Sequence, residues 1–165
     1  MCENSVKWVF ELEQGFSWES GFTFADDFAF KDKTGIVRLI LLRNGRMIIK
    51  KGYAWDGCSP KICIFDMLFG TPDGVVDSRT RKPKTYYASL VHDALYQFLP
   101  DGVPLTRKQA DGCFLRLMNE TGFAPRHLYH LAVRIFGGLF AHVGRKIRKS
   151  NGSRILLREL DPGKL

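Results

Sequence analysis

The stretch Leu90-Val91-His92-Asp93-Ala94-Leu95-Tyr96 holds two titratable side chains inside an otherwise apolar run. On a helix, His92 and Tyr96 lie four residues apart and share one face, with Asp93 beside them. Such groups in an apolar helix cost free energy unless they are paired or liganded. In the next helical stretch Asp111 borders an apolar stripe of Ala110, Phe114 and Met118. Antiparallel packing of the two stretches would bring Asp111 to His92. A carboxylate behind an imidazole fixes its tautomer and stabilises the imidazolium formed when it accepts a proton. His92 and Asp111 are therefore a candidate general-base dyad, with an expected separation of about 2.6–3.2 Å or one bridging water. Asp93 is then left to bind a metal. The plainer alternative is a surface-facing His-Asp pair beside a structural Tyr96.

A second constellation precedes it. Tyr53-Ala54-Trp55-Asp56-Gly57-Cys58-Ser59-Pro60 places a carboxylate in a tight turn. Asp56, Asp93 and turn carbonyls such as that of Gly57 would make an oxygen-rich site. Hard oxygen ligands in irregular geometry suit Ca2+. Zinc is the competing ion, through Cys58, Cys63, Cys113 and His92. The Cys-x4-Cys spacing followed by lone ligands matches no strong zinc signature, and Cys63 and Cys113 read better as small core hydrophobes.

The elements that must position these groups follow from periodicity. Residues 1–51 read as β. Val6, Trp8, Phe10 and Leu12 alternate with more polar neighbours, and Phe22, Phe24, Phe28 and Phe30 repeat the pattern. The apolar run from Ile36 to Leu42, then Arg43-Asn44-Gly45-Arg46, then Met47-Ile48-Ile49, predicts a hairpin with a type I′ turn at Asn44-Gly45. Residues 52–85 read as a long ordered loop carrying the metal turn, with room for a short helical turn. Residues 86–149 read as three helices. The first spans 86–98. The second opens on a capping box of Thr106 and Gln109 and ends at Gly122. The third starts at Pro125 and runs to about Lys149, with Gly137-Gly138 as a point of bending. Residues 150–165 read as a basic tail. Strands, a loop and then helices make one α+β domain.

The chain has 165 residues, 45% of them apolar and 25% charged. This profile excludes a disordered tail, a collagen-like repeat and a disulfide miniprotein. The apolar stretch from Leu128 to Val143 is too short, and with His130 and Arg134 too polar, for a membrane span. The net charge of +8 is localised: residues 126–158 carry eight Lys or Arg and no Asp or Glu, and the remaining 17 basic and 17 acidic residues balance. Such a patch draws polyanions such as nucleic acid, anionic lipid headgroups or an acidic protein. The bland alternative is a solvated helix end. With no base-reading motif, nucleic acid is the weakest of these partners. Met1-Cys2-Glu3-Asn4-Ser5 lacks a basic-then-apolar signal layout, so the four cysteines are expected to be reduced.

The ordered series resembles a known family. The Trp55-Asp56-Gly57-Cys58-Ser59 loop, His92-Asp93-x-x-Tyr96, Arg107-x-x-Ala110-Asp111-x-x-Phe114 and Tyr129-x-x-Ala132-Val133-Arg134-x-Phe136-Gly137 resemble the domain of unknown function 1353, frequent in phages and prophages. This implies a phage or prophage protein, in the host bacterial cytoplasm or associated with the virion. More distantly, the same residues are similar to the small secreted phospholipase A2 enzymes of bacteria and fungi. By that resemblance His92 is the general base, Asp111 its partner, Asp56 and Asp93 calcium ligands with the Gly57 backbone, and Tyr96 a supporting hydrogen-bond donor. The implied reaction is calcium-dependent hydrolysis of a lipid ester at an anionic phospholipid surface. The chain differs from those enzymes in having Ser89 where they carry the cysteine that ties loop to helix, and in its β-rich first part. The alternative is a non-enzymatic accessory or virion-associated protein binding a host or phage partner.

Overall fold

The computed structural model describes residues 10–55, 63–64, 67–68, 75–144 and 152–159. It is an α+β arrangement in which the N-terminal strands precede three helices and one further strand follows them. The main sheet contains β2 (Phe16–Glu19), β3 (Phe28–Asp32), β4 (Val37–Leu41), β5 (Arg46–Ile49) and β9 (Gly152–Leu156), in the order β2-β5-β4-β3-β9 and antiparallel throughout. Strand pleating sends alternate side chains to opposite faces. Thus Phe28 and Phe30 lie opposite Leu41 and Leu39, which lie opposite Met47 and Ile49, and all are buried in the main core. Ala29, Ile40, Ile48 and Ile155 cluster on the other face. The apolar run around β4 reads without clear alternation because both of its faces are covered.

The expected hairpin is present between β4 and β5, with a different turn. The Gly45 amide donates to the Leu42 carbonyl at 2.8 Å, and Gly45 has φ +88°, whereas Asn44 has no positive φ. Arg43 and Asn44 therefore form the centre of a type I turn, followed by a glycine in the left-handed region. Asn-Gly serves this three-residue loop as well as the type I′ turn. A Cβ at Gly45 would stand 1.9 Å from the Phe22 carbonyl oxygen. The close approach also settles the backbone of residues 21–24. Phe22 and Phe24 do not form a strand; they lie along the hairpin tip, where Ser20 and Phe24 amides donate to Gly45 and Arg43 carbonyls.

Two further expectations change. Within 52–85 the described regular elements are strands rather than a helical turn: β6 (Ala54–Trp55) pairs with β1 (Phe10–Glu11), and β7 (Cys63–Ile64) pairs with β8 (Met67–Leu68). The segment read as a basic tail contains β9, which completes the edge of the main sheet beside β3. Gly152 permits this approach, because a Cβ there would lie 1.7 Å from the Lys31 carbonyl oxygen.

The helices are α1 (Tyr86–Phe98), α2 (Arg107–Glu120) and α3 (Arg126–Gly144). The capping box forms as expected, with Thr106 and Gln109 satisfying each other's backbone amides. The α3 backbone stays helical through Gly137-Gly138, and residues 145–149 lie outside the described residues. α1 buries Ala88, Leu90, Val91, Ala94, Leu95 and Phe98. α2 packs on it with Ala110, Cys113, Phe114, Leu117 and Met118.

One carboxylate holds the β3–β4 connection. Asp32 Oδ1 accepts from the Thr34 amide (2.9 Å), the Thr34 hydroxyl (2.5 Å) and the Ile36 amide (3.1 Å), while Oδ2 accepts from Arg38 Nε (2.7 Å). Partial burial works to raise its pKa, but these donors outweigh burial and lower it from 3.8 to about 2. A depressed folded-state pKa gives stability above the unfolded value that is lost as pH falls through the folded one. Asp32→Asn is expected to cost about 1–2 kcal/mol at neutral pH. Urea titrations should show that difference narrowing between about pH 5 and pH 2.

Candidate functional site: a histidine-carboxylate network between three helices

Asp111 is completely buried. It belongs to the inner face of α2, where a lone carboxylate would carry a large desolvation cost. Three side chains offset that cost. His92 Nε2 lies 3.1 Å from Asp111 Oδ1, within the expected range. The Tyr96 hydroxyl donates to the same oxygen at 2.5 Å, and Arg134 NH1 on α3 donates to Oδ2 at 3.2 Å. Arg107 Nε stands 3.9 Å from Oδ2, one helical turn before Asp111. The i, i+4 spacing on α1 and the antiparallel neighbour α2 thus deliver the contact that the sequence predicts.

The electrostatics follow from these contacts. Burial pushes the Asp111 pKa up, yet hydrogen bonds from His92, Tyr96 and Arg134 outweigh it and leave the carboxyl below its usual value. Asp111 is therefore ionised and can only accept, so His92 Nε2 carries the proton and donates to it. For His92, burial works to lower the pKa, but the Asp111 and Asp93 carboxylates raise it overall. Burial and Asp111 raise the Tyr96 pKa, which keeps the phenol protonated as a donor. His130 lies within electrostatic range of Asp111 and Arg134, and burial first of all holds its pKa below the usual imidazole value.

The ring of His92 is clamped on two sides. Its centroid is 4.2 Å from that of Tyr96 and 5.0 Å from that of Phe114. With Nε2 committed to Asp111, the second nitrogen Nδ1 points toward Asp93, whose Oδ1 lies 3.7 Å away. Trp55 at the end of β6 is tied to α1: its buried indole Nε1 donates to Ser89 Oγ at 3.1 Å, one turn before His92. Ser89 passes the bond on to the Tyr86 carbonyl.

Arg107 and Arg134 are the members that residue-type reasoning did not place at the site. Arg107 Nε donates to the Tyr96 hydroxyl at 2.9 Å, and its NH2 donates to the carbonyls of Val133 (3.1 Å) and Arg134 (2.7 Å). It therefore ties α2 to both α1 and α3. The i, i+4 spacing of Arg107 and Asp111 was the one local signal for it. For Arg134, a helix further on, local spacing offered none.

The metal expectation is only partly within view. Asp93 stands beside the Nδ1 edge of the His92 ring, whereas Asp56, Gly57 and Cys58 lie outside the described residues. Among the described residues no group of three or more His, Cys, Asp or Glu side chains is arranged to hold a metal ion. Of the zinc alternative, Cys113 is buried in the core, where burial pushes its thiol up to about 11, and Cys58 lies outside the described residues.

No curated protein and no solved structure matches the chain. The family described as "Protein of unknown function (DUF1353)" matches residues 25–133, a span that runs from β3 through the His92–Asp111 network to Val133. That span covers well over half of the 165 residues, so the chain belongs to this family.

Proposed function

We propose that the protein hydrolyses a lipid ester by general-base catalysis at His92, with a calcium ion held beside it. The observation that carries this reading is the shared oxygen of Asp111, which receives both His92 Nε2 (3.1 Å) and the Tyr96 hydroxyl (2.5 Å). A buried carboxylate behind the imidazole sets the tautomer with the proton on Nε2. That leaves the lone pair on Nδ1, the nitrogen on the Asp93 side of the ring, as the proton acceptor of the proposed reaction.

In the proposed step Nδ1 takes a proton from water as the water oxygen attacks the ester carbonyl carbon. Asp111 stabilises the imidazolium that forms. The tetrahedral adduct collapses with cleavage of the carbon–oxygen ester bond. The imidazolium returns its proton to the departing alkoxide, giving a carboxylic acid and an alcohol. In this reading Asp93, at the Nδ1 edge of the ring, would supply a hard oxygen to the calcium, with Asp56 and the Gly57 carbonyl as the companion ligands; the Trp55–Ser89 bond fixes the residue that precedes them in sequence. Calcium so held would polarise the ester carbonyl as a Lewis acid.

The test uses a soluble short-chain phospholipid, with released fatty acid titrated at fixed pH. Hydrolysis is expected in millimolar calcium and loss of it with a chelator. Asp93→Asn should weaken the calcium requirement's midpoint by about tenfold or more, the loss of one charged ligand. A protein that releases no fatty acid in calcium, while folded, overturns the enzymatic reading. The accessory-protein reading then takes its place.

A further inference from the structure

Arg107 opens α2, at the positive end of the helix dipole, and no acidic residue in that first turn offsets it. A cation is least favoured at this position, so its contacts must offset the cost. The guanidinium makes three. NH2 is held by two consecutive carbonyls of α3, those of Val133 (3.1 Å) and Arg134 (2.7 Å). A guanidinium is planar and rigid, so the grip on NH2 fixes the direction of Nε. Nε then donates to the Tyr96 hydroxyl at 2.9 Å.

The effect on Tyr96 follows from counting donors. An arginine N–H can only donate, so the Tyr96 oxygen is the acceptor of that bond. The single hydroxyl proton is thereby turned away from Arg107 and toward Asp111 Oδ1, 2.5 Å away. The same oxygen receives His92 Nε2, so the direction of the Tyr96 proton bears on the oxygen that orients the imidazole. Arg107 does not bond the carboxylate itself. Its Nε is 3.9 Å from Oδ2, outside hydrogen-bond reach, where Arg134 NH1 donates at 3.2 Å. The hydrogen-bonded path from Arg107 to the imidazole runs through the phenol oxygen.

We infer that Arg107 is a positioning residue for His92 that acts through Tyr96: it aims the phenol proton at Asp111 Oδ1, and the turn of α3 at Val133 and Arg134 holds it in place. That turn also supplies the Arg134 side chain to the other carboxylate oxygen. Both oxygens of Asp111 are therefore oriented from one turn of α3, Oδ2 directly and Oδ1 by way of Arg107 and Tyr96. The positioning stands whether or not the site is hydrolytic; only its effect on rate rests on the proposed hydrolysis.

The experiment is a double-mutant cycle read from the His92 Nε2–H proton resonance, assigned by its loss in His92→Gln. It compares wild type, Arg107→Gln, Tyr96→Phe and Arg107→Gln/Tyr96→Phe. Phenylalanine keeps the ring beside His92, 4.2 Å between centroids, and removes only the hydroxyl. Arg107→Gln is expected to shift the resonance in wild type, and by much less in the Tyr96→Phe background, where no hydroxyl is left to aim. Equal shifts in the two backgrounds overturn the proposal, because a through-space charge or a plain tie between helices does not need the phenol. An unshifted resonance in folded Arg107→Gln also overturns it. If Arg107→Gln does not fold, Arg107→Lys takes its place with the same pattern expected, since one ammonium does not reproduce the planar fork. In the short-chain phospholipid assay Arg107→Gln should lower kcat about tenfold with KM little changed, and lower it no further once residue 96 lacks its hydroxyl. A wild type that releases no fatty acid overturns the hydrolytic reading alone; the resonance still decides the role of Arg107.

Discussion

Replacing Asp111 by alanine is expected to lower the unfolding free energy by about 3–5 kcal/mol, the range for breaking a buried charged cluster by removing one partner. The carboxylate is the acceptor on which His92, Tyr96 and Arg134 converge. Its loss leaves three donors from two helices, α1 and α3, without their partner on α2, and leaves Arg107 next to Arg134 with no nearby carboxylate between them. Asp111→Asn keeps the shape but not the charge. Its amide nitrogen would face one of the donors, so a loss of about 2 kcal/mol is expected. Urea denaturation followed by far-UV circular dichroism orders the three proteins. An alanine variant as stable as wild type would mean that water substitutes for the carboxylate and that the network does not hold the helices together.

His92→Gln should show the opposite balance. A glutamine amide can still donate toward Asp111, so the stability loss is expected to stay near 1 kcal/mol. The proton acceptor on the Nδ1 side disappears. Hydrolysis of the short-chain phospholipid should fall by about 10²–10⁴-fold, the usual contribution of a positioned general base. The fall should appear in kcat with little change in KM, since the imidazole is not needed to hold the ground-state substrate. A small loss in rate with a large loss in stability would reverse the assignment and make His92 a structural partner of Asp111.

The elements that carry the site were legible because their signals are local. The α1 bounds, the Thr106–Gln109 capping box and the His92-x-x-x-Tyr96 face all depend on spacings within one or two turns. The antiparallel meeting of α1 and α2 followed from the short connection between them, and with it the His92–Asp111 contact. What escaped the sequence depends on partners far along the chain. β9 looks like a polar basic tail because Ser153 and Arg154 carry no strand pattern by themselves; β3 makes it a strand. β1 and β6 pair over two residues each, too few for alternation to show. At the hairpin tip Asn-Gly satisfies two turn geometries, and the sequence does not show that Phe22 lies across Gly45. Arg134 looked like one more member of a basic segment. Its role at Asp111 comes from the docking of α3, which composition does not encode.

The pairing of β9 with β3 has a consequence for how the protein is made. Register partners such as Phe28 with Leu156 and Asp32 with Gly152 are 120–128 residues apart. At a synthesis rate of about 5–20 residues per second, the outer edge of β3 waits roughly 6–25 s for its partner strand to emerge. During that interval Phe28, Ala29 and Phe30 present an apolar strand with unpaired backbone amides and carbonyls, the kind of edge that recruits other chains. A nascent protein stalled before β9 is therefore the form most prone to aggregation, and chaperone dependence should concentrate in this window of translation.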